Sequence, residues 1–225
     1  SVLIPIYNYN AFPLVETLHN QCMRSGIAFE IICIDDASVA FTQENKRIAV
    51  LPFCRVEYVS ENSGRSRVRN ALAQQAAYDW LLFLDADVLP DGPDFIQHYS
   101  NAMHGDADVV YGGLRYSDEK PSGESLLRWR YGKRREALSV KERRKRPYAT
   151  VFFSNVLIRK QIFLQLTFNE TLSGYGYEDF VFSTRLKAID ASVRHIQNPT
   201  YHLRLDTSAI FLEKTAKALQ NLKFL

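Results

Sequence analysis

Four short stretches of this sequence carry side chains that could do chemistry. Asp85-Ala86-Asp87 follows the apolar run Trp80–Leu84. Two acids spaced i, i+2 beyond a strand can both reach a hard cation and leave sites open for phosphate oxygens. Such a cation would neutralise a diphosphate leaving group. The same pair also fits ordinary solvated loop acids. Asp35-Asp36 ends a second apolar run. Either acid could accept a hydrogen bond from a base N–H or a ribose hydroxyl, or cap the next helix together with Ser38. Gly64-Arg65-Ser66-Arg67-Val68-Arg69-Asn70 opens a helix. Free backbone N–H groups and arginines at a helix start suit a phosphate. Arg65 and Arg69 share a helix face, whereas Arg67 points elsewhere, to solvent.

Gly174-Tyr175-Gly176-Tyr177-Glu178-Asp179 interleaves glycines, which admit close approach, with aromatics suited to stacking on a sugar. Its two acids are either helix caps or a general base, which needs a carboxylate within reach of an acceptor hydroxyl. His202 stands in Pro199-Thr200-Tyr201-His202. It is a structural histidine unless the fold returns it to Asp87 as a ligand.

The elements that would position these groups alternate. Apolar runs at Val2–Ile6, 29–34, 56–59, Trp80–Leu84 and 108–111 are separated by helical patterns at 13–25, 42–50, 66–77 and 92–103. Alternation of this kind predicts βαβ units and a mostly parallel sheet. Continuous rather than alternating apolar strands fit a sheet covered on both faces. Ligands of such sheets bind outside the carboxyl ends of the strands, where both acidic pairs fall. Beyond Gly112-Gly113 the pattern changes. Residues 118–147 hold eleven Lys/Arg, with Leu126, Leu127, Trp129 and Tyr131 interleaved, and read as a basic helical excursion. An apolar run at 150–158, a helix at 178–189, a strand at 193–196 and a terminal helix at 207–222 complete the chain. The expected organisation is one domain, 1–225, with a nucleotide-binding half (1–112), the excursion (113–149) and an acceptor-binding half (150–225).

Composition sets bounds. The chain of 225 residues is 46% apolar and 24% charged, which excludes disorder, collagen and coiled coil. Its apolar runs fall far short of the ~20 residues of a membrane span. No basic segment with a following apolar stretch precedes the first strand, so no secretory signal is read. Cys22, Cys33 and Cys54 are few and scattered, which suits buried thiols in a reducing compartment. The expected location is cytoplasmic, with peripheral contact at the inner membrane face. Net charge is +3, but residues 1–110 carry −7 and the remainder +10. That asymmetry suggests a cation site on one side and an anionic partner on the other.

Taken in order, SVLIPIYN, IICIDDAS, NSGRSRVRNAL and WLLFLDAD resemble family 2 glycosyltransferases of the GT-A fold. GYGYEDF and the following histidine look like a galactosyltransferase-type C-terminal half. The resemblance implies an inverting transfer of a hexose from a UDP-sugar donor to a hydroxyl of a glycan or lipid-linked glycan, dependent on Mn2+ or Mg2+. It implies Pro5 and Tyr7 at the uracil pocket, Asp36 on uracil or ribose, and Arg65 and Arg69 toward the nucleotide. Asp85 and Ala86 would meet ribose or donor sugar, and Asp87 and His202 would hold the metal. Asp179 would be the general base and Glu178 would hold the acceptor hydroxyl. Tyr175, Gly176 and Asn155 would touch the sugars.

Three readings compete. A scaffold of the same fold could bind a nucleotide-sugar without turning it over. A nucleotide-dependent oxidoreductase lacks support, since no G-x-G-x-x-G follows the first strand. For the basic stretch 128–146, the readings are an anionic membrane surface, a pyrophosphate or acidic-polysaccharide contact, and a solvated face of a mobile lid. Nucleic acid is excluded as a partner by the acidic first half and the absence of a recognised module.

Overall fold

The computed structural model describes residues 1–171 and 176–221. The chain runs β1 (Val2–Ile6), α1 (Phe12–Ser25), β2 (Ile31–Asp35), α2 (Thr42–Lys46) with a 3-10 turn (Arg47–Val50), β3 (Cys54–Tyr58), α3 (Arg65–Gln75), β4 (Trp80–Leu84), β5 (Val88–Pro90) and α4 (Phe95–Met103). It continues through β6 (Val109–Tyr111), β7 (Leu114–Arg115), α5 (Leu126–Arg135), α6 (Val140–Arg143), β8 (Asn155–Arg159), α7 (Lys160–Leu166), α8 (Glu178–Ala188), β9 (Val193–His195), β10 (Thr200–His202) and α9 (Ser208–Asn221). α1 starts with a proline in its first turn and ends at Gly26, whose φ of 68° is the left-handed stop glycine favours.

The large sheet has the order β3-β2-β1-β4-β8-β6-β9. Only β8 runs against the others. The chain leaves β6 at the sheet's carboxyl edge, makes the excursion there, and re-enters from that same edge, so its next strand must run back. Alternate residues of each strand feed opposite cores. Val2, Ile4 and Ile6 pack with Leu14, Leu18 and Ile96 of α1 and α4. Leu3 and Ile32 pack with Leu72, Phe163 and Phe182 of α3, α7 and α8. On that second face Phe83, Phe153, Phe163, Phe168 and Phe182 touch edge-on or stacked, with neighbouring centroids 4.6–6.0 Å apart. This double coverage is why the strands read as continuous apolar runs.

Sequence periodicity misses a second sheet of three short strands. β10 lies between β5, to which it is antiparallel, and β7, to which it is parallel. It joins the segment after Asp87 to the segment around His202.

The excursion is tied down rather than lid-like. Arg143 is 2% exposed. Its guanidinium donates to the carbonyls of Tyr111, Gly112 and Ile196 at 2.9–3.2 Å, and its Nε to Leu138 O. Arg128 is likewise buried and donates to Glu136 at 3.0 Å. These two are therefore withdrawn from the expected basic surface, while Arg130, Arg134, Arg135, Lys141, Arg144, Lys145 and Arg146 remain exposed.

Candidate active site

Parallel strands put their carboxyl ends on one edge, and the candidate residues collect there. Tyr7 follows β1 and is 54% exposed, beside half-buried Pro5. Asp35 and Asp36 close β2. Asp35 accepts from Ser38 N at 2.8 Å. Asp36 takes Ser63 N at 2.7 Å, Ser63 Oγ at 2.9 Å and Gly64 N at 2.9 Å, which pins the loop that launches α3. Three of the roughly four lone-pair sites of a carboxylate are thereby used, so a base contact through Asp36 has one left. The expected cap on the next helix is not formed: Ser38 Oγ accepts from Asn8 N instead, and α2 has no side-chain cap.

Arg69 occupies the centre. Its side chain is wholly buried. One nitrogen donates to Asp85 Oδ1 at 2.9 Å and the other to Asp179 Oδ1 at 2.9 Å. Phe153 and Phe168 lie 5.6 and 5.2 Å from the guanidinium. The expectation that Arg69 meets the nucleotide is thus corrected. With no exposed surface, it serves as a bridge between two acids on different strands and helices. Arg65, one turn earlier and partly exposed, pairs with Glu178 at 3.1 Å. Arg67 points away to Glu170 at the surface.

Asp179 Oδ2 accepts from Phe153 N at 3.1 Å. Burial is the largest influence on this carboxyl and, against the pull of Arg69, raises it to about 6. Glu178 Oε2 accepts from Gly176 N at 3.0 Å. At Asp85 burial again works upward, but the Arg69 guanidinium, with Arg65, prevails and holds the carboxyl below its ordinary value. At Asp87 burial prevails and raises it, with His202 opposing and Asp85 adding to the rise.

His202 Nε2 lies 3.9 Å from Asp87 Oδ2. The antiparallel register of β5 and β10 sets His202 opposite Val88, and Leu203 N donates to Asp87 O at 2.9 Å. Asp87 and His202 would hold a divalent cation between carboxylate oxygen and imidazole nitrogen, a donor set that fits Mn2+ better than the oxygen-preferring Mg2+. The raised carboxyl of Asp87 fits too, because a cation would offset the cost of burying its charge. Among the described residues no third His, Cys, Asp or Glu joins the pair.

Three further expectations change. Asn155 is fully buried: its side-chain Nδ2 donates to Gly113 O and Asn198 O, and Tyr99 donates to its Oδ1 at 2.7 Å. It fastens the strand corner and cannot touch a sugar. Ala86 is 7% exposed and its side chain belongs to the core, which leaves only its backbone for a donor. At Gly176, with φ 105°, an added Cβ would collide with Ala218 of α9, so this glycine admits a helix. Tyr175 lies outside the described residues.

A family model described as Glycosyl transferase family 2 matches residues 1–167. The chain belongs to this family. Its EpsH relative from Bacillus subtilis (strain 168), which bears a provisional glycosyltransferase name, is 24% identical over 225 residues. That alignment covers 93% of this chain and 62% of the relative, so the chain spans less than two thirds of that protein's length. S. aureus TarS 1-349 in complex with UDP superposes with a TM-score of 0.63 at 19% identity, over 89% of this chain and 59% of that one. The mannosyltransferase PcManGT from Pyrobaculum calidifontis, in complex with GDP-Man and Mn2+, gives 0.63 at 14%, over 90% and 56%. These likenesses show the GT-A fold. The family match ends before Glu178, Asp179 and His202, which join the site by geometry. No described helix is long and apolar enough to cross a membrane.

One participant escaped the sequence. Tyr116 stacks on His202, with centroids 5.4 Å apart and planes at 13°. No local pattern marks it, because the contact depends on β7 and β10 lying side by side.

Proposed function

We propose that this family 2 chain is an inverting glycosyltransferase that moves a hexose from a UDP-sugar to a hydroxyl of a glycan or lipid-linked glycan. The observation that carries the reading is the Arg69 bridge. It holds Asp85, on the expected donor side, and Asp179, the expected base, on one guanidinium, with the Asp87–His202 pair adjoining through Asp87, two residues from Asp85. The UDP and UDP-GlcNAc complexes of TarS support a uridine nucleotide, and the Mn2+ complex of PcManGT supports a metal.

In this mechanism Tyr7 and Pro5 flank the base of the nucleotide and Asp36 offers its remaining lone pair to it. Arg65 and Asp85 approach the ribose and donor sugar. A Mn2+ or Mg2+ held by Asp87 and His202 would offset the charge that grows on the diphosphate. Glu178 holds the acceptor hydroxyl. Asp179 takes its proton as the oxygen attacks the anomeric carbon from the face opposite UDP. The new C–O bond forms as the bond to the diphosphate breaks, and configuration inverts. A base raised to about 6 is well matched to neutral operation, since the ideal catalytic pKa lies near the working pH.

The exposed face of α5 sets Leu127, Arg130, Tyr131 and Arg134 together, apolar and basic groups interleaved. It suits anionic lipid headgroups near a lipid-linked acceptor, each exposed cation adding about 1 kcal/mol. Co-sedimentation with anionic but not neutral vesicles is expected, and equal binding to both removes this contact.

The decisive experiment is a thermal-shift panel of UDP-, GDP- and dTDP-sugars with and without Mn2+. A manganese-dependent shift with a UDP-sugar is expected. A shift confined to GDP- or dTDP-sugars overturns the donor assignment. UDP release in the presence of acceptor distinguishes turnover from binding alone.

A further inference from the structure

The basic excursion reaches His202 through the ring of Tyr116. Tyr116, just past β7, lies nearly parallel to His202, and its hydroxyl donates to Glu136. Arg128 donates to the same hydroxyl at 2.8 Å and to Glu136 at 3.0 Å. The ring is pressed against α5 where that helix carries Gly132, and a Cβ added there would overlap the Tyr116 ring. Glycine inside a helix is unfavourable relative to alanine. Here the missing side chain makes room for the tyrosine. Ser125 and Ser208 tie the excursion to the segment beyond His202 through Leu205 O at 3.4 Å and Glu124 O at 2.7 Å.

His202 has an unusual environment for a ligand. Metal-bound imidazoles usually donate their second nitrogen to a carboxylate or carbonyl, which fixes the ring plane. The Nδ1 of His202 is buried and has no hydrogen-bond partner among the described residues. The flat face of Tyr116 is therefore what sets the plane of the ring and keeps Nε2 aimed at Asp87.

We propose that Tyr116, seated on Gly132 and clamped by Arg128 and Glu136, is a positioning residue for His202. The excursion thereby orders the metal-facing imidazole. This proposal rests on the reading of His202 as a metal ligand. Loss of such supporting contacts typically lowers metal affinity about 10–100-fold.

The test uses the full chain and two readouts. Mn2+ binding in the presence of UDP is followed by the electron paramagnetic resonance signal of free Mn2+. The ring protons of His202, identified by their loss in His202→Gln, are followed by NMR without metal through their nuclear Overhauser contacts to Val88 on the facing strand. Tyr116→Leu is expected to weaken Mn2+ binding about 10–100-fold and to change those contacts. Tyr116→Phe keeps the stacked ring but frees it from Arg128 and Glu136, and is expected to bind Mn2+ more tightly than Tyr116→Leu. If Tyr116→Leu leaves both readouts unchanged, the proposal is overturned. If His202→Gln binds Mn2+ as tightly as wild type, the metal reading fails instead. The contacts of the His202 ring to Val88 then decide alone: their change in Tyr116→Leu supports positioning and their constancy removes it. Should Tyr116→Leu not fold, Gly132→Ala, which must displace the same ring, carries the same two readouts.

Discussion

Arg69 and Asp179 stand 110 positions apart in the chain and meet at 2.9 Å, with the guanidinium wholly buried. The same guanidinium reaches Asp85 at 2.9 Å. Two acids that would otherwise repel are therefore held together by a shared cation. The arrangement couples Asp85 to Asp179.

Removing that cation leaves two largely buried carboxylates without their partner. Breaking a buried ion pair on one side costs about 3–5 kcal/mol. Arg69→Met is expected to lose stability by that amount in denaturant unfolding, and to lose transfer activity with it. A variant as stable as wild type would show that the bridge is dispensable.

Asp179→Asn keeps the shape of the side chain but cannot take a proton. General base catalysis contributes about 10²–10⁴-fold, so turnover should fall by that factor while UDP affinity is largely retained. Steady-state kinetics beside a nucleotide-binding titration check this, and normal turnover would remove Asp179 from the mechanism.

The raised carboxyl of Asp179 predicts two pH effects of opposite sense. In the proposed mechanism Asp179 acts in its ionised form, so the rate should fall about tenfold per unit below pH about 6. Stability runs the other way. With a folded value of about 6 above the ordinary 3.8, the native state binds the proton more tightly than the unfolded chain. This group's contribution is full below pH 3.8 and is lost as pH rises through about 6. Asp179→Asn should flatten that part of the stability profile in unfolding measured across the window.

Asp87→Ala should weaken UDP binding only when Mn2+ is present, and chelation of the wild-type chain should produce the same loss. Calorimetric titration with and without EDTA measures both. Metal-dependent affinity that survives the substitution would count against Asp87 as a ligand.

Much of the architecture could be read along the chain because its signals are local. Continuous apolar runs mark strands covered on both faces, and Trp80–Leu84 is observed with the bounds its run suggests. The proline and glycine at the ends of α1 mark its limits. Strand polarity then places Tyr7, Asp36 and Asp85 on one edge, and helical spacing sets Arg65 and Arg69 on one face while turning Arg67 outward.

What spacing along the chain does not contain is burial and long-range pairing. β5, β7 and β10 have two or three residues each, too few for a period, yet they bring His202 to Asp87 and Tyr116 to His202. Arginines on one helix face look alike in sequence, but one pairs at the rim with Glu178 and the other is enclosed by remote acids and phenylalanines. Asn155 and Ala86 resembled ligand contacts and instead hold the core. The sequence by itself determined the sheet, its active edge and the kinds of group available there. Only tertiary packing, which sets how much water each charge keeps and which distant partner it meets, decided which of them are buried, which face His202 and which are bridged by Arg69.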